Sequence, residues 1–145
     1  SILILYALIE NFSFRIVTRK PRPLGWGSSQ GYNDKERGGL NAGKGPKNSG
    51  KVRDLVSKRV RVHQVRVFGS RARGNATEES DLDVLIVVDY LNHLIEKYIS
   101  DCAWEAGFPD DVVVMPIAIS LDTLRNSPIR ESVFIRNVYR EGVTI

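Results

Sequence analysis

From Lys51 onward the apolar positions fall into helical and strand periods in turn. In KVRDLVSKRV, Val52, Leu55, Val56 and Val60 share one helical face and the charges occupy the other, which predicts an amphipathic helix. HQVRVFG alternates towards a short strand that stops at Gly69, and DVLIVV, from Asp83 to Val88, is a β-branched run suited to a buried strand. Between Leu91 and Gly107 a stripe of Leu91, Leu94, Ile95, Tyr98, Ile99, Cys102 and Ala106 predicts a second helix, with Gly107 as its stop. DVVVMPIAIS, from Asp111 to Ser120, reads as a third strand, and Pro116 predicts an edge position or a bulge. A last helix is expected from Ile129 to Glu141, halted by Gly142. Alternating helices and strands of this length predict an α/β unit over residues 51–145.

Residues 1–50 carry no such period. Pro21 to Gly50 is rich in Gly, Pro, Asn, Ser and Lys, a texture that predicts a disordered or loosely held segment. Two stretches there approach a phosphate-binding loop, Gly38 with Gly43-Lys44 and Gly45 with Gly50-Lys51. In both the hydroxyl residue that should follow the lysine is replaced, by Gly45 and by Val52, so no magnesium ligand is present. The apolar run Ser1–Ile9 is too short to span a bilayer, which takes about 20 residues. It also lacks the basic flank and cleavage site of a secretion signal. The chain opens on Ser1 and its only methionine is Met115, so the first third is expected to be a fragment, a fusion or a misplaced start, and no function is assigned to it.

Composition narrows the classes further. A single cysteine, Cys102, excludes an internal disulfide and fits a reducing, cytoplasmic compartment. His63 and His93 stand thirty residues apart with no cysteine at zinc spacing, which removes a structural zinc site. The net charge of +4 predicts a polyanionic partner. Nucleic acid is a minor reading, because the basic stretches have no interleaved aromatics for base stacking.

The chemistry concentrates in VRVFGSRARGNATEESDLDVLIVVD, Val65 to Asp89. One strand runs into Gly69-Ser70, a basic turn comes next, and a second strand opens with Ser80-Asp81-Leu82-Asp83. Strand alternation projects Asp81 and Asp83 from one face. Paired carboxylates repel unless a cation lies between them, and a hard oxygen set of this kind suits Mg²⁺ or Mn²⁺. Gly69 permits close backbone approach to a phosphate, Ser70 adds a hydroxyl at the start of an expected short helix, and Arg71 and Arg73 add fixed positive charge. Together these residues supply a phosphate cradle and a divalent-metal clamp, the requirements of phosphoryl or nucleotidyl transfer.

GSRARG, a short spacer and SDLD, set between two strand patterns, resemble the signature of the minimal nucleotidyltransferases of the DNA polymerase β-like superfamily. The resemblance covers about Lys51 to Ile145, including the closing NVYREGVTI. It implies a small mixed β-sheet flanked by helices, a nucleoside triphosphate donor such as ATP, and two Mg²⁺ ions. Asp81 and Asp83 would be the catalytic metal ligands. Gly69 and Ser70 would contact the phosphates, with Arg71, Arg73 and Ser80 as further nucleotide contacts. The family pattern also has a third carboxylate on a neighbouring strand, for which Asp111 is the candidate; Asp110 would face the other way.

The resemblance further implies transfer of a nucleoside monophosphate, most readily AMP, to a hydroxyl acceptor. Many such small proteins pair with a helical HEPN-domain protein in toxin–antitoxin modules, and so short a chain would complete its acceptor site with a partner or as a homo-oligomer. Two rivals stand beside this expectation: an inactive interaction module of the same fold, and a small-molecule transferase of the aminoglycoside-modifying type.

Overall fold

The computed structural model describes residues 41–77 and 80–145, with side chains described from Lys47 onward. The first element is helix α1, Asn41–Ser57. It is followed by strand β1, Val62–Phe68, strand β2, Leu82–Val88, and helix α2, His93–Gly107. A 3-10 turn, Phe108–Asp110, leads to strand β3, Val114–Ser120, and the short helix α3, Leu121–Asn126. A second 3-10 turn, Pro128–Glu131, precedes helix α4, Val133–Glu141, and the two-residue strand β4, Val143–Thr144.

The four strands form one mixed sheet in the order β3-β2-β1-β4. β1 and β2 pair antiparallel, β2 and β3 pair parallel across α2, and β4 returns antiparallel to β1. This is the small mixed sheet flanked by helices that the family resemblance implies. Pro116 lies in β3, the edge strand, where a missing backbone N–H is tolerated.

The sheet buries both faces. On one, Val65, Val67, Leu82, Val84, Ile86 and Val88 pack with Val52 and Val56 of α1 and with Ile99, Cys102 and Ala106 of α2. On the other, Phe68, Leu85, Val87, Ile117 and Ile119 pack with Ile129 and with Ile135 and Val138 of α4. Each fully buried aliphatic side chain contributes about 1.5–3 kcal/mol, so β2 contributes heavily to the stability of the frame. Every β2 residue except Asp83 is buried.

Several expectations change on contact with the structure. α1 begins at Asn41, so the last ten residues of the glycine-rich stretch are helical despite Gly43, Gly45, Pro46 and Gly50. Residues 1–40 lie outside the described residues. Gly50 and Lys51 sit inside that helix, and Lys51 Nζ bonds Asp110 Oδ2 at 3.0 Å, which disposes of the second loop-like motif. Leu94 is 73% exposed and leaves the predicted α2 stripe, while Asn92 caps the helix by accepting from the Ile95 N–H at 2.9 Å.

The predicted last helix divides at Ser132, whose hydroxyl accepts from the Ile135 N–H and starts α4 afresh. Gly107 is required by a close approach to the Val112 carbonyl rather than by a left-handed cap. Among the described residues no helix is long and apolar enough to cross a membrane.

Candidate active site

The site forms where β1 ends and β2 begins. Phe68 pairs with Asp83 across the antiparallel ladder, so the turn after Phe68 lies beside the carboxylate. Gly69 adopts φ +75°, in the left-handed region where only glycine is unstrained. A Cβ at Gly69 would meet Asp83 Oδ2 at 2.5 Å, so the carboxylate occupies the space that any other side chain would need.

Beyond Gly69 the chain forms a turn, not the expected short helix. The Arg73 N–H bonds the Gly69 carbonyl at 3.2 Å and the Asn75 N–H bonds that of Ser70 at 3.2 Å. Gly74, at φ +77°, then turns the chain back. The return is closed by Arg71, whose Nε and Nη2 both donate to the Ser80 carbonyl, at 3.1 and 2.7 Å. Ser80 Oγ accepts from the Thr77 N–H at 2.9 Å. Arg71 and Ser80, both expected at the nucleotide, are thus braces of the loop that delivers Asp81 and Asp83.

Asp81 stands one residue before β2, and its neighbour Leu82 donates its N–H to the Val113 carbonyl at 2.8 Å. Leu82 is fully buried against the α1–α2 layer, so alternation turns Asp83 to the opposite side of the sheet, towards α4. Asp81 and Asp83 are both half-buried. Carboxylate oxygens fit a hard divalent cation, which keeps water and takes its remaining ligands from substrate phosphates.

The third carboxylate is placed differently. Asp111 caps the 3-10 turn in a left-handed conformation, φ 54° and ψ 37°, and is exposed. β3 starts three residues later, and the residue paired with Asp83 is Met115. Among the described residues no three acidic, histidine or cysteine side chains converge on a common metal position. Asp110 is held by α1, through Lys51 at 3.0 Å and Lys47 at 4.0 Å.

Asp83 opens into a cavity of about 380 Å³ between the Gly69 turn and α4. Its sheet side carries Phe68, Gly69, Ser70, Arg73 and Asp83; its helix side carries Val133, Phe134, Asn137, Val138 and Glu141. That volume falls in the range of small-molecule sites. Phe134 is set edge-on to Phe68, with ring centroids 5.6 Å apart. Glu141 receives Arg140 Nη2 on one oxygen at 2.8 Å and Arg73 Nη1 on the other at 3.2 Å. Arg140 first and Arg73 second hold its carboxyl below the usual range.

The helix wall was not predicted from sequence. Its signal is present nonetheless: Val133, Asn137 and Glu141 recur every fourth residue, on a stripe distinct from buried Ile135 and Val138. Arg66 holds this wall in place. Its guanidinium donates to the carbonyls of Tyr139 and Gly142, at 3.2 and 2.8 Å, and to Thr144 Oγ1 at 2.8 Å, and it lies 4.6 Å from the Tyr139 ring centroid.

Comparison with known proteins places the chain among named relatives. Over 94 residues the chain is 42% identical to "Putative protein adenylyltransferase MJ0604" of Methanocaldococcus jannaschii, covering 63% of this chain and 86% of that protein. From the same organism, "Putative protein adenylyltransferase MJ0141" is 37% identical over 86 residues, covering 59% of this chain and 80% of its own. A solved structure described as "the toxin-antitoxin with AMP-PNP" matches with a TM-score of 0.49 and 20% identity, over 67% of this chain and 71% of that one. The family model of the nucleotidyltransferase domain matches residues 49–139, from the second half of α1 almost to the end of α4, and the chain belongs to that family.

Proposed function

We propose that the unit from Lys51 to Ile145, with residues 41–50 extending its first helix, transfers AMP from ATP to a hydroxyl acceptor. The observation that carries this reading is the seating of the Asp83 carboxylate over Gly69, inside a cavity that also holds Ser70 and Arg73. An exposed backbone turn, a hydroxyl and a guanidinium offer donors to phosphate oxygens, and the carboxylate offers an oxygen ligand to a cation.

In the proposed reaction the acceptor oxygen attacks the α-phosphorus, the bond to the bridging β-oxygen breaks in line, and pyrophosphate leaves with the electron pair. The acceptor's proton passes to a carboxylate or to water. Asp81 and Asp83 would hold Mg²⁺ or Mn²⁺, which would supply charge neutralisation on the triphosphate. Gly69 and Ser70 orient its phosphates, and Arg73 provides the nearby positive charge.

A protein hydroxyl is the acceptor we favour, in keeping with the names of the two relatives as protein adenylyltransferases. The family habit of pairing with a HEPN-domain toxin makes such a partner in the cytoplasm the first acceptor to test. A second reading is an inactive module that binds its partner without turnover. What favours it is the position of Asp111, exposed at a left-handed turn outside β3.

Calorimetric titration of ATP, with and without Mg²⁺, into wild type and an Asp81→Ala/Asp83→Ala variant tests the proposal. Magnesium-dependent binding that the variant loses is the expected result. A folded wild type that binds no ATP would overturn the enzyme reading and leave the binding module.

A further inference from the structure

We propose that the α4 wall of this cavity is a nucleobase slot in which Asn137 selects adenine, an inference that rests on the nucleotide-binding reading above. The two walls differ in chemistry. The sheet side offers Gly69, Ser70, Arg73 and Asp83, suited to phosphate and metal, whereas α4 begins its side of the cavity with Val133 and Phe134. Val133 is 49% exposed, an apolar surface that a planar ring would cover.

Polarity then changes in order along the helix. Val133 is apolar, Asn137 one turn on is an amide, and Glu141 one turn further meets Arg73 of the phosphate side. At 1.5 Å of rise per residue these eight positions span about 12 Å. A nucleotide laid along α4 with its base at Val133 would meet an apolar platform, then an amide, then a guanidinium.

Asn137 is half-buried in the cavity wall, and its side chain makes no hydrogen bond among the described residues. An amide in a partly dehydrated site is worth most when both its donor and its acceptor find partners. Adenine presents an amino donor at N6 beside an acceptor at N7, which matches a side-chain amide in two bonds. Guanine and hypoxanthine present two acceptors on the same edge. The slot therefore distinguishes a 6-amino from a 6-oxo purine.

The test is titration of ATP and of ITP, each with Mg²⁺, into wild type and Asn137→Ala. Wild type is expected to bind ATP about tenfold more tightly than ITP, the discrimination of one good paired contact. Asn137→Ala is expected to reduce that ratio to about twofold or less while magnesium-dependent triphosphate binding persists. The near-isosteric Asn137→Leu serves the same purpose should the alanine variant not fold. Equal affinity of wild type for the two nucleotides, or a ratio unchanged in both variants, would overturn the slot and leave the triphosphate site standing. Absence of binding of either nucleotide to folded wild type would overturn both.

Discussion

The Asp83 carboxylate occupies the position where a side chain at residue 69 would project, with Oδ2 at 2.5 Å from a Cβ built on Gly69. Sequence reasoning explains the glycine by the approach of a phosphate, but the protein's own acid already requires it. Gly69→Ala combines two penalties. The left-handed backbone costs about 1–2 kcal/mol for a non-glycine residue, and the methyl group displaces the carboxylate. Denaturant unfolding is expected to show a loss of at least about 1–2 kcal/mol, the backbone cost alone. Magnesium-dependent ATP affinity, measured on the folded variant, is expected to fall by about tenfold or more.

Arg71 can be separated from Arg73 by experiment. Its two bonds to the Ser80 carbonyl use the planar fork of a guanidinium, which an ammonium does not reproduce. Arg71→Lys and Arg71→Ala are therefore expected to behave alike, each losing about 1 kcal/mol of stability and weakening metal binding through the looser Asp81–Asp83 segment. A residue that served only as a phosphate charge would be largely rescued by lysine. Restoration of stability and affinity by Arg71→Lys would count against the brace.

The parts legible in the sequence are those governed by period and by charge. Val65, Val67, Val84, Ile86 and Val88 alternate or cluster as buried strands must, and Asp83, foreseen at the opening of the second strand, stands there as the one residue of β2 that is not buried. The parts that escaped are those where tertiary contact overrides local preference. Gly43, Gly45 and Pro46 disfavour a helix, and α1 nevertheless begins at Asn41, with Asn48, Ser49, Val52 and Val56 buried within it. Asp111 has the parity of a strand residue, but it closes the 3-10 turn in a left-handed conformation, and β3 starts only at Val114. The fourth-residue stripe of Val133, Asn137 and Glu141 marks a separate face of α4, but that this face lines a cavity depends on the Gly69 turn opposite it.

Asp111 offers a direct comparison of sequence and geometry. Held at φ 54°, it occupies a backbone conformation that glycine adopts without strain. Asp111→Gly is expected to leave stability unchanged or raise it by about 0.5–1 kcal/mol. The geometry also predicts that magnesium-dependent ATP affinity changes by less than the roughly tenfold that loss of even an outer-shell partner brings. Asp83→Asn, measured in parallel, is expected to abolish it. A loss in Asp111→Gly equal to that in Asp83→Asn would return Asp111 to the metal centre.

Glu141 reports on the cavity through its ionisation. Arg140, and then Arg73, lower its pKa from the ordinary value of 4.5, and a depressed carboxylate stabilises the fold wherever it is charged and its unfolded counterpart is too. The contribution is therefore fully present above pH 4.5 and is lost as pH falls below it through the folded value. Thermal midpoints of wild type and Glu141→Gln are expected to differ by a constant amount from pH 7 to pH 5 and to converge in more acid solution. Carbon-detected NMR titration of the Glu141 carboxyl should give a midpoint below the usual range, with a larger upward return in Arg140→Ala than in Arg73→Ala. Magnesium–ATP is expected to move the wild-type midpoint upward, because a triphosphate draws Arg73 away and adds negative charge while the Arg140 contact remains. A midpoint that does not respond to bound nucleotide would separate Arg73 from the phosphates.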